Sequence, residues 1–190
     1  NGDATPRDTD PHAEELKQFR TMMQSHGRPL SIGLLAVLVV IGGWSFYRNH
    51  REGMVREASA QLGAARGVQA LQAVVDDYAG TDVAGLALLQ LAHRQYANGN
   101  YDASLNTYGR FLDENGDNLF APAAMLGKAH CLEARGQTQD AIETYAAFMD
   151  KHDRHYLYGQ AVIGKGRCLQ AVGRPAEARN VYDTFLKNRP

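Results

Sequence analysis

The sequence predicts an all-α chain: a single N-terminal transmembrane helix, then an α-solenoid of helix pairs that repeat every 37 residues. Three observations predict it. Gly136, Tyr145, Phe148 and Met149 recur 37 residues earlier as Gly99, Tyr108, Phe111 and Leu112, and 37 later as Gly173, Tyr182, Phe185 and Leu186. A period held at so many positions marks stacked supersecondary units. The slots filled by Ser104, Ala141 and Ala178 then fall four and seven residues before the Tyr and Phe slots, one face of a helix that starts after a left-handed glycine turn. Finally, Leu30 to Tyr47 runs for 18 residues without a charge, close to the roughly 20 apolar residues that cross a bilayer core of about 30 Å.

The 190 residues carry a net charge of -1, which leaves no electrostatic footprint for nucleic acid. Residues 1–11 hold three Asp, two Pro and no large apolar side chain, so a disordered tail is expected. The chain begins with Asn1 rather than Met, as a processed or partial chain would. Residues 12–28 place Leu16, Phe19, Met22 and Met23 on one face among Glu14, Glu15, Lys17 and Arg20, an amphipathic helix for the membrane surface or one that packs on a neighbouring helix. Gly27, Arg28 and Pro29 are expected to break it.

The transmembrane helix is placed at 29–48, anchored by Pro29 and Leu30 at one end and by Trp44 and Tyr47 at the other. Trp and Tyr suit the headgroup belt, and Arg28 and Arg48 bracket the span. A cleaved signal peptide fits less well, because the first small-residue site, Ala58-Ser59-Ala60, lies far downstream. Lys17, Arg20 and Arg28 before the span balance Arg48, Arg51 and Arg56 after it, so charge alone does not orient it.

Residues 49–81 read as a linker helix and a degenerate half-repeat, in which Leu71 and Val74 stand in the slots of Tyr108 and Phe111. Residues 82–190 hold three full repeats. The first helix of each has its own packing set: Leu88, Ala92, Gln95; Met125, Ala129, Leu132; Val162, Gly166, Leu169. After Phe185 the last repeat has no capping helix, so a continuation or a covering partner is expected.

This helix–glycine–helix unit resembles the tetratricopeptide repeat, with three residues more than that repeat's usual 34. The N-terminal layout adds a second resemblance. Glu15-Leu16-Lys17, Phe19, Gly27-Arg28, Gly33, Gly43-Trp44 and Tyr47, followed by an Ala-rich helix and repeats, look like the YfgM-like family of inner-membrane proteins that accompany the bacterial Sec translocon. That resemblance implies a cytoplasmic N-terminus and periplasmic repeats that help receive emerging polypeptides.

Little in the chain speaks for chemistry. Cys131 and Cys168 occupy one slot in successive repeats. Stacked helices lie about 8–10 Å apart, too far for a disulfide, so two semi-buried thiols are expected. His152, Asp153 and His155 sit in a turn with no second ligand pair at a usable spacing. No phosphate loop, nucleophile elbow or HExxH occurs. No enzyme, cofactor or metal is expected.

What remains is a surface. One position beyond each packing set runs a second stripe: Leu89, His93, Tyr96; Leu126, His130, Glu133; Ile163, Arg167, Gln170. In the tetratricopeptide superhelix the matching slots line the concave groove, which suits an extended or helical peptide. Its aliphatic members could equally pack between repeats. The function expected is a membrane-anchored protein-binding module, an ancillary factor of the Sec translocon with translocon subunits, unfolded periplasmic clients and the lipid bilayer as partners. The alternative is a scaffold or assembly subunit that binds a folded partner through the repeats.

Overall fold

In a computed structural model the backbone is described for residues 11–188, with side chains given for only some of residues 11–36. The 1–10 tail and Pro190 lie outside the described residues, as do the side chains of Pro29 and Leu30. Eight helices are described: α1 Pro11–Ala64, α2 Val68–Asp77, α3 Asp82–Ala97, α4 Tyr101–Glu114, α5 Ala121–Ala134, α6 Thr138–Lys151, α7 Tyr158–Ala171 and α8 Pro175–Asn188. The chain divides into two units, residues 1–53 and 54–190.

In the first unit α1 runs unbroken through Gly27, Arg28 and Pro29, where the sequence suggests an interruption. A proline deprives a helix of one hydrogen bond and bends it without having to end it. Among the described residues no helix is long and apolar enough to cross a membrane. Several members of the expected span, Leu30 among them, have no described side chain. Those that do, Leu35, Val37, Leu38, Val39, Val40 and Ile41, are all exposed, as are Trp44, Phe46 and Tyr47.

The second unit is a stack of helix pairs. Each helix from α2 to α8 packs on the next, and first helices also touch across pairs, α3 on α5 and α5 on α7. Among the described residues second helices do not: α4 and α6 share no such contact. First helices therefore crowd the inner, concave side while second helices fan outward.

The turn within each pair is made the same way three times. Gly99, Gly136 and Gly173 take φ of 77°, 75° and 76°. The next residue's N–H donates back to the carbonyl of Gln95, Leu132 or Leu169. This is the paired closure of a helix C-terminus that a left-handed residue allows. Between pairs, Asn118 Oδ1 accepts from the Phe120 N–H at 2.9 Å, and one period later His155 Nδ1 accepts from the Leu157 N–H at 3.2 Å. His155 is thus a turn-former in the slot of Asn118.

The tyrosines explain the packing of one pair on the next. A Cβ on Gly127 would lie 2.4 Å from the Tyr108 ring, and one on Gly164 2.4 Å from the Tyr145 ring. Each ring reaches into a notch that only glycine leaves open on the following first helix. The packing sets read from the sequence are buried, apart from half-buried Met125. At the N-terminal end Ala58 of α1 belongs to the same core cluster as Leu71, Val74 and Val75, and Val55 and Leu62 pack against that cluster, so the end of α1 joins the core of the degenerate repeat.

Candidate protein-binding groove

The nine stripe residues do not share one fate. Leu126 is 4% exposed and belongs to the core of the second and third repeats. Leu89 is half-buried and packs on the first core cluster. Leu126 offers no apolar anchor in a groove, and Leu89, like Tyr96, is partly covered by that cluster. Because α5 touches α3, α4, α6 and α7, its buried arc is wider than one helical face. Ile163 by contrast is 57% exposed.

The outer members of the stripe form the surface. His93, Arg167 and Gln170 are exposed, while Tyr96, His130 and Glu133 are half-buried. Their centre is an ionic cluster between two repeats. Arg167 Nη2 donates to Glu133 Oε2 at 2.6 Å and its Nε donates to Oε1. The fully buried Tyr145 donates its hydroxyl to Glu133 Oε2 at 3.0 Å. The His130 ring tilts over Tyr145 with centroids 5.8 Å apart, and Tyr96 lies 5.2 Å from Tyr101.

Electrostatics follow from this arrangement. Burial alone would raise the Glu133 carboxyl, but hydrogen bonds from Arg167 and Tyr145 and the Arg167 charge outweigh it and hold it below the usual range. Burial lowers His130, against the attraction of Glu133 and with the help of Arg167. Burial, then Glu133, pushes the Tyr145 hydroxyl well up. The cluster is a structural clasp with one carboxylate shared by a guanidinium and a phenol.

The tyrosine's part in the clasp is missing from the sequence reading, which gives Tyr145 only as a repeat slot on one helix face. A signal existed: Glu133 and Arg167 are 34 apart, as are Tyr96 and His130, a spacing that joins neighbouring first helices on a diagonal. Arg135 and Asp102 make a further link between turns at 2.7 Å.

The two cysteines are free and buried. Cys131 Sγ donates to Ser104 Oγ at 3.1 Å, and that hydroxyl donates to the Ala92 carbonyl at 2.7 Å. Burial pushes the Cys168 thiol up to about 11, far from a reactive thiolate. Among the described residues no three His, Cys, Asp or Glu side chains gather as metal ligands would.

The first helices thus present a row of polar and aromatic tips, part exposed and part half-buried, on a helical-repeat scaffold. The chain belongs to the tetratricopeptide repeat-like domain family, which matches residues 20–189. Repeats of this family are generally protein-interaction modules, and no catalytic family is indicated. The fold is similar to that of the nearly identical TPR-like repeats of a Podosopora anserina protein described as a candidate kinesin light chain. One such structure, of a point variant, gives a TM-score of 0.56 at 17% identity over 92% of this chain and 94% of that one. Another gives 0.53 at 18% identity over 92% and 95%. No curated protein matches the chain.

Proposed function

We propose that the chain is a membrane-tethered protein-binding module of the bacterial inner membrane, working beside the Sec translocon. Its N-terminus is cytoplasmic, and its repeats stand in the periplasm, where they hold emerging unfolded segments weakly and release them without nucleotide. One observation carries the binding role: His93, Tyr96, Ile163, Arg167 and Gln170 reach solvent or half-reach it on first helices that line the concave side. Such a row offers aromatic, aliphatic and hydrogen-bonding contacts to an extended chain, none of them strong enough to trap it.

The tether is supported by the bare aliphatic run. Leu35, Val37, Leu38, Val39, Val40 and Ile41 are 53–68% exposed, and leaving them in water forgoes a good part of the roughly 1.5–3 kcal/mol that full burial of each brings. A lipid core would cover them, with Trp44 and Tyr47 at the headgroups. The translocon assignment draws on the resemblance of Glu15-Leu16-Lys17, Gly43-Trp44 and Tyr47 to the YfgM-like layout. Tethering then raises the local concentration of the groove near membrane-bound partners.

Photocrosslinking amino acids placed at His93, Tyr96, Ile163 and Gln170 in living cells test this reading. Adducts with translocon subunits and with nascent periplasmic segments are expected. Leu126 is unsuitable as a groove probe because a change there damages the core. With a further probe at Leu186, adducts with a different protein from that position alone would replace the reading with that of a scaffold for a folded partner, which the half-buried Tyr182 and Phe185 and the exposed Leu186 favour. Recovery of the chain wholly outside the membrane fraction would remove the tether.

A further inference from the structure

The outer face of α8 differs from its counterparts in a patterned way. Slots 102, 105, 109 and 112 of α4 hold Asp, Leu, Gly and Leu, and the same slots of α6 hold Gln139, Ile142, Ala146 and Met149. The second and fourth of these slots pack inward: Leu105 packs against both core clusters, Ile142 is buried, and Leu112 and Met149 each pack on one cluster, whereas Asp102 and Gln139 are exposed and a Cβ on Gly109 would meet open space. In α8 the slots become Ala176, Arg179, Asp183 and Leu186. The buried aliphatic and its small neighbour have been replaced by a cation and an anion one turn apart.

All four residues are exposed, Leu186 by 63%. Neither charge is ion-paired among the described residues. Ala176, Arg179 and Asp183, with Tyr182 beside them, line an open hollow of about 650 Å³. The face therefore has neither the aliphatic and small centre of an internal repeat nor the all-polar chemistry of a solvated cap.

The spacing 176, 179, 183, 186 is the three-four-three seam of a two-helix coiled coil. In an antiparallel pair, residues whose numbers share one sum face each other. Set on a second copy about a two-fold axis, Arg179 meets Asp183 twice, and Ala176 meets Leu186 twice, small against large. No other register puts both charges against their opposites and keeps the small–large match. We infer that α8 is a self-association surface, whose occupant is α8 of a second copy of this chain in antiparallel, isologous contact. The inference stands independently of the translocon role. Pairing sets two grooves in one assembly, which strengthens the hold on a client long enough to reach both.

Charge exchange provides the test. Full-length chains carrying two different tags are co-expressed in pairs, purified in mild detergent, and scored for co-capture and for mass by light scattering. Wild type should pair with wild type. Arg179→Asp with itself sets acid against acid, Asp183→Arg with itself sets base against base, and each should weaken self-association roughly tenfold or more. The mixture of Arg179→Asp with Asp183→Arg restores both contacts and should pair again. Leu186→Glu, which leaves the charges intact, should also weaken pairing. Circular dichroism and melting confirm that these exposed changes leave each chain folded. A monomeric wild type, capture indifferent to the single exchanges, or a mixture that fails to pair would each overturn the inference.

Discussion

At the scale of single residues, the glycine notches and the Glu133 clasp make separable demands. Gly127→Ala gains about 1 kcal/mol in helix propensity but drives a Cβ to within 2.4 Å of a buried ring. Overpacking of that kind costs about 1–3 kcal/mol, so a net loss in denaturant midpoint is expected for Gly127→Ala and Gly164→Ala. Gly166→Ala should be near neutral, although its Cβ would fall 2.2 Å from Tyr182, because Tyr182 is half-exposed and can swing away. The degenerate repeat shows the rule in reverse, with Leu71 in the ring slot and Gln90 in the glycine slot. Tyr108→Leu should accordingly relieve Gly127→Ala. For the clasp, Arg167→Ala removes a half-exposed partner and should cost about 0.5–1 kcal/mol. Glu133→Ala also strands the buried Tyr145 hydroxyl and should cost more, about 1–3 kcal/mol. Equal losses from the two substitutions would show that the phenol does not depend on Glu133.

At the scale of elements, the α5–α7 contact makes stability depend on pH. Glu133 is held below its ordinary value, so its contribution is complete above about pH 4.3 and is lost as pH falls through its depressed folded value. His130 is also lowered, so the unfolded chain binds more protons between its folded value and about 6.5. Stability rises with pH across that window. His152 acts in the same direction, lowered by burial and then by Lys151 and His155. Melting temperature should therefore fall on acidification from pH 7 to 5. His130→Gln should flatten part of that slope, and Glu133→Gln should flatten the steeper loss below about pH 4.3. The elements themselves were largely legible. The 37-residue period places α3 to α8, and Gly99, Gly136 and Gly173 end the first helices by the left-handed turn expected of them. Of the stripe, the exposure of His93, Arg167, Gln170 and Ile163 followed the pattern, and the burial of Leu126 did not. The pattern left Leu126 open between groove and packing because it assumes a helix with one buried side, whereas α5 is enclosed by four neighbours, which settles it as core. The break expected at Gly27–Pro29 and the unbroken α1 show the opposite error, a strong local signal that the whole helix overrides.

At the scale of the molecule, a stack in which each pair touches only its neighbours should not melt as one rigid body. Stability in such arrays is a sum of unit and interface terms, and among the described residues α8 is joined to the rest through α7 alone. Ala178 is its one buried side chain. In α6 the corresponding helix buries Ala141, Ile142, Tyr145 and Phe148 between α5 and α7. Backbone amides of α8 should thus open by local fraying, and those of α4 and α6 only when the core opens. Hydrogen exchange measured on the Arg179→Asp chain, so that pairing does not shield α8, should show α8 exchanging roughly tenfold or more faster than α6. Wild type at high protein concentration should narrow that gap through added protection of α8 alone. Leu126→Asp, placed where the second and third repeats meet, should instead accelerate α5 to α8 together while leaving α2 and α3 protected. Uniform loss across all helices would mean that the repeats unfold as a single cooperative unit, and the nearest-neighbour account of this stack would fail.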